Sequence, residues 1–124
     1  MRIKLALFSA FAFCFLGLGS VYAQSKYTGL DIVQYRNLLR TAHCPYCKLY
    51  FAKLGGVDLT GANLRGAVLI GASFRRSTLR NANLRGATLS GTSFAGADLS
   101  GAIWVDGKKC EEGSIGYCKQ SSSE

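Results

Sequence analysis

The residues of this chain that could do chemistry gather at two points. One is the run His43-Cys44-Pro45-Tyr46-Cys47, and the other is the pair Cys110 and Cys118. A Cys-x-x-Cys exchanges disulfides when one of its sulfurs is an exposed thiolate of lowered pKa. Four cysteines and a histidine are also a donor set for tetrahedral zinc, which needs its ligands within about 2.3 Å of the metal. Structural disulfides are the third chemistry open to them. His43 is the one histidine of the chain. It lacks a partner for acid–base work and reads as a solvent-facing loop residue. No paired carboxylates, Ser/His/Asp set or phosphate loop accompanies these residues, so other enzyme classes have no support.

The elements that must position the cysteines are bounded by composition. The 124 residues carry 15 Lys+Arg against 7 Asp+Glu, a net charge of +8. That length suits one domain. With 48% hydrophobic and 18% charged residues the chain is not of the disordered type, and 15 Gly with one Pro do not make collagen. Residues 1–23 read as a secretory signal: Arg2 and Lys4 start it, an apolar run from Leu5 to Leu18 is broken only by Ser9, and Val21-Tyr22-Ala23 offers the cleavage site. The run is too short for a bilayer crossing, which takes about 20 apolar residues. Cys14 lies mid-run between Phe13 and Phe15, which is not the setting of a lipoprotein site. Cleavage after Ala23 leaves 101 residues, a charge of +6 and four cysteines, with no transmembrane segment. An even cysteine count in a small exported chain suggests two disulfides. The expected destination is secretion, into the periplasm.

Residues 47–106 divide into twelve blocks of five without an insertion. The middle residue is always large and apolar: Leu49, Leu54, Leu59, Leu64, Leu69, Phe74, Leu79, Leu84, Leu89, Phe94, Leu99 and Trp104. Two places earlier stands a small or compact residue, and eight of the twelve blocks end in Gly. A period of five fits neither the 3.6 of a helix nor the 2 of a strand. It fits a polygon in which each block is one short side and Gly eases the corners.

Ala62-Asn63-Leu64, Ala82-Asn83-Leu84 and Ala97-Asp98-Leu99 match Ala-(Asp/Asn)-Leu-x-x literally. In this the sequence resembles the pentapeptide-repeat family, over 60 of the 101 residues left after cleavage. The resemblance implies an all-β fold, a right-handed quadrilateral β-helix with four blocks per turn. Residues 47–106 would then form three coils of 20, stacked at roughly 4.8 Å. Positions 20 apart become vertical neighbours, so Phe74 lies above Leu54 and below Phe94. A stacked solenoid needs caps at both ends. Within residues 24–46, Asp31 to Thr41 reads as one capping helix, started by Asp31 or Thr28, with Ile32, Tyr35, Leu39 and Ala42 on one face. Residues 107–124 lose the pattern and should fold over Trp104 as a disulfide-closed cap and tail.

Cys-Pro-Tyr-Cys also resembles the active site of glutaredoxins, which sits at a helix start in a thioredoxin-like βαβ fold. Here Cys47 opens the first repeat block at an inward position and a solenoid follows. Some exported pentapeptide-repeat proteins look similar, with a Cys-x-x-Cys at this junction and a cysteine pair after the final Trp block. A structural disulfide is therefore preferred. Three coils hold the two pairs at opposite ends, roughly 10 Å or more apart. That excludes one shared zinc site and end-to-end disulfides. The expected bonds are Cys44–Cys47 and Cys110–Cys118, with no metal and no cofactor.

The outward positions differ from side to side. Arg65 and Arg85 fall on one side, Arg75 and Arg76 on another, and Arg80 on a third. The remaining side carries Tyr50, Val68 and Ile70, with Phe51 at its corner. The arginines make a basic belt, a second candidate interaction surface for which solubility is the plainer account. Tyr50 and Phe51 can pack under the helix, whereas Val68 and Ile70 are expected to form a protein-contact or self-association stripe. Family members that mimic DNA to bind gyrase need an acidic surface, which this is not. Exposed aromatics do not interleave with the basic positions, so nucleic acid is not an expected partner. Anionic lipid heads or envelope polymers suit the charge better. The expected function is an exported, non-catalytic structural or protein-interaction module of the cell envelope. The alternative is a small thiol–disulfide redox protein using Cys44 and Cys47.

Overall fold

Each block turns one corner. The N–H of the small residue opening a block bonds the carbonyl of the large residue three places back, as in Ala62 to Leu59 at 3.0 Å and Ala72 to Leu69 at 2.9 Å. The residue between blocks takes left-handed backbone, with φ +69° at both Gly61 and Gly71. A Cβ there costs about 1–2 kcal/mol, which glycine avoids. The Asp or Asn at the second position holds the same bend. Oδ1 of Asp58, Asn63, Asn83 and Asp98 accepts the N–H two residues on, at 3.0–3.2 Å.

Four corners return the chain above itself. In the computed structural model, which describes residues 30–122, parallel bridges run Lys48–Val68–Thr88, Lys53–Ser73–Ser93, Asp58–Thr78–Asp98 and Asn63–Asn83–Ile103. These define four faces, numbered here from the one that begins at residues 47–51. The expected signal segment 1–23, Cys14 and Thr28 lie outside the described residues. The core is a set of columns whose members are 20 residues apart. Leu54, Leu64, Leu69, Phe74 and Leu84 are fully buried. Phe74 and Phe94 stack with ring centroids 5.2 Å apart and 7° between planes. Trp104 meets Phe94 edge-on at 5.5 Å. Burying each such side chain contributes about 1.5–3 kcal/mol.

The stacking begins one block below residue 47. Residues 42–46 form a further side under residues 62–66: His43 bridges Asn63 in parallel, and Cys44 and Tyr46 donate to the carbonyls of Asn63 and Arg65 at 2.8 and 2.7 Å. Cys44 occupies the large apolar slot, and Tyr46 takes the left-handed corner at φ +59°. Neither residue type advertises those roles, which is why the sequence pattern reads as starting at Cys47.

The helix α1, Ile32–Thr41, is capped by the Asp31 carboxylate, which accepts from Val33 and Gln34 at 3.0 and 3.2 Å. Its side chains bond three groups on the lower edge of the stack. Gln34 Oε1 accepts from Lys48 N–H at 2.7 Å, Tyr35 Oη donates to Lys53 C=O at 2.8 Å, and Asn37 Nδ2 donates to His43 C=O at 3.2 Å. The buried member of its apolar face is Leu38. Leu39, expected to face inward, is 45% exposed. The hydrogen bonds of Gln34, Tyr35 and Asn37 to the ring edge set the helix rotation and turn Leu38 inward.

At the other end, the chain after Asp106 folds back over the third and fourth faces. Leu99 N–H donates to Ser114 C=O, Gly101 N–H to Cys110 C=O and Trp104 N–H to Lys108 C=O, at 2.8–3.0 Å. Ile115 and Lys109 make antiparallel bridges to Asp98 and Ile103.

Candidate functional site

Cys44 and Cys47 are bonded to each other, with Cα atoms 5.5 Å apart, and Cys110 is bonded to Cys118, with Cα atoms 5.0 Å apart. Cys44 is 2% exposed and Cys47 6%. Both face the core because they occupy the middle slot of one block and the small slot of the next. The preceding helix lies against them: α1 finishes at Thr41, Ala42 closes it in left-handed backbone at φ 54°, and Cys44 Sγ sits 3.4 Å from the backbone carbonyl oxygen of Gln34 in the first turn. Burial, and a carbonyl rather than an N–H beside Cys44, work against an attacking sulfur at this motif. The two pairs lie at opposite ends of the stack, and among the described residues no three of His, Cys, Asp and Glu converge as metal donors. His43 is exposed, its N–H bonded to Thr41 Oγ1 at 3.2 Å.

The outward residues fall on the four faces as spaced, but their surroundings differ from the expectation. Arg80 is no free cation. Its guanidinium bonds Asp98 at 3.0 Å and Glu112 at 2.8 Å, and those hydrogen bonds hold its pKa above the ordinary arginine value. Arg65 and Arg85 are exposed on the fourth face. Arg75 and Arg76 are exposed on the second, where Arg75 Nε donates to Ser93 Oγ at 3.3 Å. The stripe of Tyr50, Val68 and Ile70 is half-buried throughout. Val68 lies between Lys48 and Thr88 in one ladder, so vertical neighbours cover part of it. Phe51, expected under the helix, is 62% exposed, and its ring lies over Gly71.

The family described as Pentapeptide repeats matches this sequence in 8 copies, over residues 47–86 and 69–103. The chain is a member of the pentapeptide-repeat family. The fold of that family is a right-handed β-helix, and its members are typically non-enzymatic structural modules. Among solved structures, this pentapeptide-repeat protein is similar to HetL of the cyanobacterium Nostoc sp. strain PCC 7120, involved in heterocyst differentiation regulation. The two are 34% identical over 54% of this chain and 34% of that one, with a TM-score of 0.48. It is similar to Rfr23 of the cyanobacterium Cyanothece 51142 at 33% identity, over 50% of this chain and 40% of that one, with a TM-score of 0.42. A pentapeptide repeat protein of the Arabidopsis thaliana thylakoid lumen is 24% identical over 60% of this chain and 55% of that one, with a TM-score of 0.40. The chain thus spans about a third of the length of HetL. No curated protein matches it.

The repeat pattern gives no sign of one group of polar atoms. The C-terminal segment of this pentapeptide-repeat protein covers two faces of the top level, reaches the corner of the second face, where Gly116 lies beside Gly96 N and Phe94 O, and leaves the rest. By the ladder below them, the N–H groups of Leu89, Gly91, Phe94 and Gly96 point away from the stack, and none has a hydrogen-bond partner among the described residues. The signal was the length of the segment after Asp106: the disulfide at Cys118 closes it after about half a 20-residue turn.

Proposed function

We propose that this protein is an exported, non-catalytic interaction module of the cell envelope, acting in the periplasm. The observation that carries this reading is the position of Cys44 and Cys47, oxidised and buried inside the lowest level of the stack against α1. The motif most suggestive of catalysis serves instead to fix the turn between residues 42–46 and the first repeat block. Export is supported by the charge and apolar pattern of residues 1–23 and by the even cysteine count that remains after cleavage. The architecture behind the reading is a right-handed quadrilateral β-helix of three coils, with α1 below and the Cys110–Cys118 segment half covering the top. Its partner is a protein, with weaker attraction to anionic envelope components from Arg65, Arg75, Arg76 and Arg85.

Thiol trapping with mass spectrometry, an insulin-reduction assay and N-terminal sequencing of the osmotic-shock fraction test this together. The expected result is four oxidised cysteines, no insulin turnover and a chain beginning at Gln24. Rapid dithiol turnover would replace this reading with the redox alternative.

A further inference from the structure

The upper end of the stack is half closed, and the closed half shows what chemistry the open half accepts. Over the third and fourth faces, the chain's own residues 108–110 and 114–116, joined by a turn at Glu112-Gly113, lie on the edge and pair with it backbone to backbone. Over the first and second faces the same ladder ends without a partner. Thr88 and Ser93 bond downward to Ala67 and Ala72 at 2.9 Å. By the same alternation, the carbonyls of Ala87 and Thr92 and the N–H groups of Leu89, Gly91, Phe94 and Gly96 face upward. The core beneath is correspondingly less covered: Leu69 is fully buried, and Leu89, directly above it, is only half-buried. An edge of alternating donors and acceptors is matched by another peptide backbone and not by a polyanion, which offers acceptors only.

The charge beside this edge names the kind of peptide. A cleft lined by Arg75, Arg76, Ala95 and Gly96 opens at the corner of the second face, against the open edge. Arg75 and Arg76 have no carboxylate partner among the described residues, whereas Arg80 on the next face has two. A second copy of this chain does not fit. Its lower edge is already bonded to α1 at His43, Lys48 and Lys53, and its upper edge would bring a second Arg75 and Arg76 against the first.

From this we infer that the open edge of the second face, residues 92–96, binds an extended acidic segment of a partner protein by strand addition, with an Asp or Glu side chain held between Arg75 and Arg76. This rests on the reading of the protein as an interaction module, and names the surface and the partner chemistry that the reading leaves open.

The test uses two blocked pentapeptides of alternating Val and Thr, one with a central Asp and the other with Lys in its place. They are titrated into the purified, oxidised protein with ¹⁵N amide spectra and fluorescence anisotropy as readouts. The Asp peptide is expected to shift the amides of Phe94 and Gly96, on the second face, and slow their exchange with solvent, with smaller shifts at Leu89 and Gly91 around the corner. The Lys peptide should bind about three- to tenfold more weakly, the range for two exposed charge pairs. Arg75→Ala/Arg76→Ala, at exposed positions that leave the melt intact, should bring the two affinities together. Shifts confined to other amides, an unchanged ratio in the double variant, or no binding of either peptide at millimolar concentration would overturn the inference. So would sedimentation as a dimer whose contact protects these four amides. None of these outcomes bears on insulin turnover or on the chain's N-terminus, so the inference can fail while the interaction-module reading stands.

Discussion

The ring of Phe51 covers Gly71, the residue directly above it at the same corner, so closely that a Cβ on Gly71 would run into Cδ1 and Cε1 of the ring. Tyr46 stands in the same relation to Gly66, and Asn81 to Gly101. Phe51, Tyr46 and Asn81 all hold left-handed backbone, at φ 55–59°. At these corners a side chain lies where the level above has none, so glycine is needed there for space as well as for backbone conformation.

Gly71→Ala should therefore cost more than Gly61→Ala, although both glycines have φ +69°. At Gly61 nothing lies within 4 Å of an added Cβ, leaving the left-handed penalty of about 1–2 kcal/mol. At Gly71 the collision with Phe51 adds to it, and Phe51→Ala should recover that added part. Chemical denaturation of the two singles and the Phe51→Ala/Gly71→Ala double variant measures this. Equal losses at Gly61 and Gly71 would refute it.

Leu69→Ala or Leu84→Ala, each opening a cavity at a fully buried position, should destabilise the protein by about 2–5 kcal/mol. Leu39→Ala on the outer side of α1 should fall within about 0.5 kcal/mol of the parent. Thermal melts of the three variants check the register and the helix rotation together.

Removing the upper disulfide by Cys110→Ser/Cys118→Ser should cost about 2–3 kcal/mol in the chain-entropy model. It should also speed amide exchange at Leu99, Gly101 and Trp104, whose N–H groups bond the segment it closes. Removing the Cys44–Cys47 bond, which closes a shorter loop, should cost less and leave those three amides protected.

Asp58, Asp98 and Asp106 are all held below the ordinary carboxylate range. The causes are the Thr60 hydroxyl and N–H at Asp58, hydrogen bonding from Ser100 and then Arg80 at Asp98, and chiefly the Lys108 N–H at Asp106. A carboxyl whose folded pKa is lowered contributes stability above its unfolded value, and that contribution disappears as pH falls through the folded value. The melting temperature should hold steady from about pH 8 to 5 and drop below about pH 4. Asp98→Asn keeps the Oδ1 acceptor and removes only the charge. It should lower the melting temperature at neutral pH and shrink the acid drop.

The stacked rings of Phe74 and Phe94 are legible in the sequence because the five-residue block places vertical neighbours at a fixed spacing of 20. Asp31 reads as a helix cap for the usual reason, a carboxylate just before an amphipathic run. The side formed by residues 42–46 is hidden, because Cys44 and Tyr46 stand where Leu and Gly usually do. The rotation of α1 is hidden too, since both Leu38 and Leu39 continue an apolar face and the choice is made by bonds to Lys48 and Lys53. The partners of Arg80 lie 18 and 32 residues away, one of them past the repeats, where no periodicity points to them. The half-buried state of Val68 and Ile70 depends on flanking side chains one level away, which a pattern of block positions does not weigh.

The twenty-residue return has one further consequence. With α1 attached to particular faces below and the folded-back segment to particular faces above, chain length and angle become the same variable. Gain or loss of a single block would rotate one end a quarter turn against the other and carry the uncovered ledge away from Arg75 and Arg76. Gain of four blocks would lengthen the molecule and leave every angular relation between its two ends as it is. In a lineage descended from this chain, length changes in whole turns preserve its geometry, and fractional ones re-aim it.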